Sequence, residues 1–483
     1  MEKRHSKSNV IKSLIWKLLE RIGTEGVQFL VQIFLARLLS PKDFGTIALV
    51  MVFISLGRVF VERGFNTALI QKKNPDNLDF SSVFYISFFL SVLLYFVIYI
   101  ATPYIADFYG DDKLISILRV LSLTLLLGSI NSIQYAYISK NMLFKKLFTS
   151  SFVAIVVSGT LGIAAAYMGA GVWALVIQQL SNQLIVMVIL WFTLKWRPIL
   201  AFSIERVKTL FSFGWKLLAS SILNTLYLDI RTLIIGRLYS PSILGYYNRG
   251  EQFPRIIVIN IDGAVQSVML PTFSAHQDNP KIVKDMVRRT IKSSSFLIFP
   301  IMVGMIVVAE PLVRIVLTEK WLPAVPFLQF FCISYAVIPI HTANAQAINA
   351  LGRSDIFLKL EVIKKIIGLS LLVISIRWGV YAIAISMVIS SIISSFINAY
   401  PNKDLLKYSI KEQWIDIIPS LIISSIMGIT VYLVKYLVEN TLILLISQIL
   451  LGIITYVALA KIFKNESYTY IYKSLNEVFK KKQ

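Results

Sequence analysis

Charge is scarce in this chain, and acid is scarcer than base. Of 483 residues only 15% are charged, against 56% hydrophobic, and mean hydropathy is +0.71. A soluble domain carries about 25% charged residues. A water-soluble fold is therefore excluded and a polytopic membrane protein is expected. There is one cysteine, Cys332, inside an apolar run, so no intrachain disulfide can form and the thiol reads as a small packing group. The three histidines, His5, His276 and His341, lie far apart and offer no metal spacing. No Gly-Lys-Ser/Thr phosphate loop occurs, so ATP is not hydrolysed on this chain, and there is no nucleophile elbow. These absences predict a protein with no catalytic residues, no metal site and no cofactor.

Lys and Arg number 48 and Asp and Glu 26, a net charge of +22. That excess would suit a nucleic-acid binder. Its distribution does not, because the basic residues lie almost entirely in short loops between apolar runs. Attraction to anionic lipid of the inner leaflet is the simpler account, and no nucleic-acid partner is expected.

Apolar runs of roughly 20 residues cross a hydrocarbon core of about 30 Å. About fourteen are present. Helices are predicted near 14–39, 45–69, 80–103, 114–138, 148–168, 172–194, 210–239, 243–270, 293–317, 326–351, 357–376, 379–400, 414–436 and 440–463. The basic start, Lys3, Arg4, Lys7 and Lys12, mimics a signal peptide. Glu20, Arg21 and Glu25 interrupt the following run, which has no small-residue cleavage site, so it reads as a retained first helix. Every second loop is basic: Lys72-Lys73, Lys140 to Lys146, Lys195 to Lys208, Lys281 to Lys292, Arg353 to Lys365 and Lys403 to Lys411. The chain closes on Lys480-Lys481-Lys482. The intervening loops are neutral or acidic and too short for a soluble domain. Both termini are therefore expected in the cytoplasm, which requires an even number of crossings.

One stretch occurs twice. Arg37, Leu38, Ser40, Pro41 and Gly45 recur at positions 200 higher, as Arg237, Leu238, Ser240, Pro241 and Gly245. Both copies open on Trp-Lys-Leu-Leu, at Trp16 and Trp215. Gly171-Val172-Trp173-Ala174 is echoed by Gly379-Val380-Tyr381-Ala382. Two six-helix units entering from the same side are parallel repeats. The predicted fold is all-α, with lobes at 1–200 and 201–405 and two further helices with a basic tail at 406–483.

Charges inside the runs cluster in the first two helices of each half, at a cost of at least about 2.5–3.5 kcal/mol each at the bilayer centre. Steps of three or four residues put Lys17, Arg21, Glu25, Gln28 and Gln32 on one stripe, and Ser55, Arg58, Glu62 and Asn66 on another. The second half carries Lys216, Ser220, Asn224, Tyr227 and Arg231, with Asp229 alongside, and then Asn248, Gln252, Arg255, Asp262 and Gln266. Glu62 and Asn66 correspond to Asp262 and Gln266. Four polar stripes cannot all face lipid, so they are expected to line a hydrated cavity between the halves. The plainer alternative is ion pairing at helical spacing, Arg21 with Glu25 and Arg58 with Glu62. Glu310 and Arg314 read as such a pair. Trp173, Trp191, Trp196, Trp321, Trp378 and Trp414 sit near helix ends, as interfacial anchors do. Tyr227, Tyr246 and Tyr247 are candidates for stacking on sugar rings.

Phe34-Leu35-Ala36-Arg37-Leu38-Leu39-Ser40-Pro41-Lys42-Asp43-Phe44-Gly45 and Gly64-Phe65-Asn66-Thr67-Ala68-Leu69-Ile70-Gln71 carry a resemblance. So do Gly236 to Pro241, Leu244 to Arg249 and Leu270-Pro271-Thr272-Phe273-Ser274. The chain resembles the Wzx-type polysaccharide exporters of the multidrug/oligosaccharidyl-lipid/polysaccharide superfamily, and within them the colanic-acid and teichuronic-acid branch. The resemblance implies a V-shaped flippase of the cytoplasmic membrane moving a polyprenyl-pyrophosphate-linked oligosaccharide from inner to outer leaflet, driven by H⁺ or Na⁺. It implies Arg21, Arg58, Arg231, Arg255 and Lys216 as pyrophosphate ligands, with Gln28 and Asn224 beside them in the cavity. Glu25, Glu62, Asp229 and Asp262 are the ion-coupling carboxylates it suggests. Membrane lipids are implied partners, and a polymerase or glycosyltransferase is the protein partner it leaves open. A drug/cation antiporter of the same superfamily is the alternative. It favours acids and aromatics over arginines and has fewer helices. A membrane enzyme ranks below both, because the outer loops are too short to hold catalytic residues.

Overall fold

The computed structural model describes residues 7–62 and 64–470. Lys3, Arg4 and Lys480 to Lys482, which set the expected orientation of the termini, lie outside them. Among the described residues every regular element is a helix. In chain order these are α1 (Lys7–Leu38), α2 (Pro41–Glu62), α3 (Gly64–Gln71), α4 (Asn77–Tyr109), α5 (Lys113–Asn141), α6 (Phe144–Tyr167), α7 (Val172–Thr193) and α8 (Ile204–Leu238). There follow α9 (Pro241–Ser274), α10 (Pro280–Val316), α11 (Val325–Ala336), α12 (Ile338–Ala350), α13 (Ser354–Ser375), α14 (Val380–Ala399), the single turn α15 (Asn402–Leu405), α16 (Ile410–Leu433) and α17 (Thr441–Ile462).

Twelve helical segments among the described residues are long and apolar enough to cross a membrane, which makes this a multi-pass membrane protein. The two expected helices missing from that set, α1 and α13, are present as helices of 32 and 22 residues. Their charges set them apart: Lys17, Glu20, Arg21 and Glu25 in one, Lys359, Glu361, Lys364 and Lys365 in the other.

The chain forms two compact units, residues 1–245 and 246–483. The sequence repeat divides near residue 200, so α8, the first helix of the second repeat, belongs to the first unit. There it packs on α2, α3 and α4. The loop before it is pinned to α4. Trp196 Nε1 donates to Asn77 Oδ1 at 2.6 Å, and the backbone amides of Ile199 and Ser203 each donate to a serine hydroxyl, Ser81 and Ser82, at 3.0 Å. Asp76 caps α4 reciprocally with Asp79. Asp79, fully buried, also accepts from Lys72 at 2.7 Å and from Arg206 at 3.0 Å. Trp196 is itself buried against Phe80 and Tyr137. It is a core residue holding two helices together, not the interfacial anchor that its position near a helix end suggests.

The repeated Ser-Pro elements are helix starts. Pro41 and Pro241 are the first residues of α2 and α9, where a missing N–H costs nothing. Ser40 caps α2: its Oγ accepts from Asp43 N at 3.3 Å, and Asp43 returns a carboxylate to Ser40 N at 2.9 Å. Ser240 Oγ accepts from Ile243 N at 3.4 Å. The two repeated glycines meet. A Cβ on Gly45 would lie 1.7 Å from the Pro241 carbonyl oxygen, and one on Gly245 would lie 2.1 Å from the Pro41 carbonyl oxygen. The starts of α2 and α9 cross backbone to backbone, each on the other's proline carbonyl.

In the second unit α10 is central, packing on α16, α11, α17 and α12. The basic segment Lys281 to Lys292, expected as a loop, is the first three turns of α10. Asn279 caps it and Pro280 fills the first helical position. Acids from elsewhere neutralise the basic face: Arg288 donates twice to Asp416, at 2.6 and 2.8 Å, and Lys292 lies 3.2 Å from Asp416 and 2.7 Å from Glu466. The run 326–351, expected as one helix, is split into α11 and α12 at Val337, with Pro339 in the first turn of the second piece. Trp321 is fully buried, with Tyr246 edge-on at 6.0 Å, so it too is core rather than an interfacial anchor.

Candidate functional site: the polar stripes of α1, α2, α8 and α9

The expected stripes exist on the expected helices, and each unit shows how its charges are held. On α1, Arg21 Nε lies 3.4 Å from Glu25, both half-exposed. Gln28 accepts from Gln178 of α7 at 3.4 Å, and Lys17 sits 5.0 Å above the Phe144 ring. On α2, Arg58 lies 3.6 Å from Glu62, so both ion pairs expected from i, i+4 spacing form. The Glu62 carboxylate reaches the space over Gly128 of α5, where an added methyl would meet it at 3.6 Å. Asn66, one turn on, donates to Ser132 of α5.

On α8 the acid is held across helices. Ser55 Oγ of α2 donates to Asp229 Oδ2 at 2.7 Å. Arg231 is 6% exposed, with its guanidinium 5.9 Å from the Tyr227 ring, and its Nε has no acceptor among the described residues. Lys216 and Asn224 are exposed.

In the second unit Asp262 of α9 accepts from Gln266 at 2.7 Å and from Thr342 of α12 at 3.3 Å, while Gln346 donates to Gln266 at 3.3 Å. Glu62 and Asp262, the repeat-related acids, are thus held differently: one by an arginine of its own helix, the other by neutral donors. Arg255 is exposed. Tyr247 is 3% exposed and packs edge-on against Phe327 and Phe331, which removes it as a sugar-stacking surface. Tyr227 lies under Arg231. No group of three or more His, Cys, Asp or Glu side chains converges among the described residues.

Sequence reasoning passed over two groups. Arg249 is buried at 6% exposure, donates to Gln252, and lies 5.4 Å from the Trp321 ring. Glu251 accepts from Tyr335 at 2.8 Å. Both stand in a run, Tyr246 to Gln252, that repeats no pattern from the first half. Charge inside an apolar helix was the available signal.

Comparison with known proteins bears on the class. Residues 34–326 match the family described as polysaccharide biosynthesis protein. The teichuronic acid biosynthesis protein TuaB of Bacillus subtilis (strain 168) is 30% identical over 303 residues, 62% of this chain and 62% of that protein. The chain therefore spans under two thirds of the length of that relative. Among solved structures, the lipid II flippase MurJ in an inward closed conformation superposes with a TM-score of 0.75 at 17% identity, over 92% of this chain and 98% of that one. An inward-facing multidrug resistance MATE transporter of the MOP superfamily gives 0.59 at 14% identity, over 80% and 96%. The fold is the one these two solved structures share. The chain belongs to the polysaccharide biosynthesis protein family.

Proposed function

We propose that this protein flips a polyprenyl-pyrophosphate-linked oligosaccharide repeat unit from the inner to the outer leaflet of the cytoplasmic membrane, for cell-surface polysaccharide synthesis. Both termini face the cytoplasm. Two lobes alternate access to the polar stripes, and an H⁺ or Na⁺ gradient drives the cycle. The observation that carries this reading is the family match across residues 34–326, which runs from the first Ser-Pro element past the second. The likeness of fold to a lipid II flippase over nearly the whole chain supports a lipid-linked substrate rather than a soluble drug.

The chemistry of the stripes supports the same choice. Cations outnumber acids there: Lys17, Arg21, Arg58, Lys216, Arg231 and Arg255 against Glu25, Glu62, Asp229 and Asp262. An anionic head group suits that balance, and guanidinium matches phosphate oxygens bidentately. Arg231, buried with a donor to spare, is the strongest single candidate. Gln28 and Asn224 would hydrogen-bond sugar. Glu62 and Asp262 are the first candidates for coupling, with Glu25 and Asp229 next. Short outer loops support a transporter over an enzyme. A polymerase or glycosyltransferase is the protein partner the reading calls for.

The test is a lipid extract of cells depleted of the protein, analysed by mass spectrometry. Accumulation of a polyprenyl-pyrophosphate oligosaccharide that outside reagents cannot reach is expected. If no such lipid appears and efflux of a cationic dye falls instead, the drug-antiporter reading takes its place. For coupling, Glu62→Gln and Asp262→Asn should blunt the response of transport to collapsing the gradient. An unchanged response in both returns these carboxylates to a structural role.

A further inference from the structure

Away from the stripes, the second unit holds a crevice of about 560 Å³ where four helix ends converge. They are the last turns of α10 and α16 and the first turns of α11 and α17. Its wall is apolar, with Val307, Pro311, Val325 and Leu444 among the lining residues, and four charges stand at it: Glu310, Arg314, Lys435 and Glu439. The volume falls in the range of about 300–1,000 Å³ usual for small-molecule sites. Along α10 the first charge at the crevice, Glu310, stands 18 residues beyond Lys292, roughly 27 Å at helical rise, close to the thickness of a hydrocarbon core. It therefore lies at the membrane face opposite the basic turns of α10.

The charges are arranged for both signs. Glu310 lies 3.3 Å from Arg314 and 3.5 Å from Lys435, and Arg314 reaches Glu319 at 3.4 Å. These are long, exposed pairs of the kind that contribute little and rearrange readily. Glu439 takes part in none of them. At the crevice Gln448 is 2% exposed; its Nε2 donates to Val431 O at 3.2 Å, while its Oε1, also buried, has no donor among the described residues. Two cations, one uncommitted carboxylate and an unsatisfied amide oxygen beside an apolar wall match one kind of molecule. It carries a phosphate, a primary ammonium with N–H donors, and an acyl chain.

We propose that this crevice binds a phospholipid with a zwitterionic, primary-amine head group, its phosphate on Arg314 and Lys435 and its ammonium on Glu439. The site is independent of the flippase reading, because none of its residues belongs to the stripes.

The test is native mass spectrometry of the purified protein, titrated in detergent with dioleoyl phosphatidylethanolamine, phosphatidylcholine or phosphatidylglycerol, and with water-soluble glycerophosphoethanolamine. The ethanolamine lipid should bind tightest, because the quaternary choline has no N–H and glycerol no charge. Each variant should lower its retention by about fivefold, the upper range for one exposed charge contact: Lys435→Gln together with that of the other two lipids, which share the phosphate, and Glu439→Gln with little change in retention of phosphatidylglycerol, which has no ammonium. Arg314 is kept intact so that the end of α10 holds. Equal retention of the three lipids overturns the proposal, as does undiminished ethanolamine-lipid binding in both variants. Equal binding of the soluble head group would show that the apolar wall is not used and would overturn the assignment to a lipid.

Discussion

Changing Gly45 to alanine should force apart the crossing of α2 and α9. The new methyl carbon would lie 1.7 Å from the Pro241 carbonyl oxygen, 2.6 Å from its carbon and 3.0 Å from Gly245 N. A carbon and a carbonyl oxygen approach to about 3.3 Å at closest, so the two backbones must part by roughly 1.6 Å there. No flexible side chain is available to give way, since the obstacle is main chain. Overpacking of this kind costs about 1–3 kcal/mol. In a unit of 245 residues each kcal/mol moves the melting temperature by about 2–4 °C, so a drop of about 5 °C is expected. The assay is thermal unfolding of purified protein in detergent, with Gly26→Ala as the internal control. Gly26 lies in exposed α1 with nothing within 4 Å of an added methyl, so alanine there should be neutral or stabilising by up to about 1 kcal/mol. Gly245→Ala should repeat the Gly45 result, because its methyl would meet Pro41 O at 2.1 Å. A melting temperature for Gly45→Ala equal to that of Gly26→Ala would refute the backbone crossing.

Asp416→Ala would strand Arg288, Lys292 and the buried Tyr408 hydroxyl, which donates to it at 2.8 Å. A loss of about 3 kcal/mol is expected, the low end for breaking a buried pair because Arg288 is half-exposed. Unfolding by denaturant reads it, and a loss below the error of the fit would sink the claim that this carboxylate clamps α16 to α10. Asn77→Ala removes the acceptor of the Trp196 Nε1 bond and leaves the packed indole in place, and should cost about 1 kcal/mol in the same measurement; no change would leave that bond without weight. If Arg58 and Arg255 hold pyrophosphate, Arg58→Gln and Arg255→Gln should abolish polysaccharide export at normal membrane levels, scored by surface glycan staining and immunoblot. Normal export in both variants removes the role.

Much of this was legible because membrane helices write themselves as long apolar runs with charge at their ends. The polar stripes stood out for the same reason, and so did the pairs Arg21–Glu25 and Arg58–Glu62, which need only one helix to form. What could not be read was anything that depends on a neighbour. Lys281 to Lys292 looked like a loop because it packs five cations around a single acid, Asp285; Asp416 and Glu466 pair with two of them, Arg288 and Lys292, from more than 120 residues away. Trp196 and Trp321 looked like anchors because a helix end is where anchors sit, but other helices cover them. Asp229 looked like a lone acid on α8 until Ser55 of α2 was seen beside it. Gly45 and Gly245 were legible as a repeat, but sequence alone could not say that the two copies touch.

The mismatch between repeat and compact unit bears on how the chain is made. Translation delivers a complete first repeat at about residue 200, yet α2, α3 and α4 still lack the helix that covers them. The Asp79 carboxylate lacks Arg206, and Ser55 lacks Asp229. Only when the ribosome has passed Leu238 is the first unit whole. A gene split for co-expression as two polypeptides should therefore be cut after α8, and a cut at the end of the first repeat would release a piece with a wound along its side.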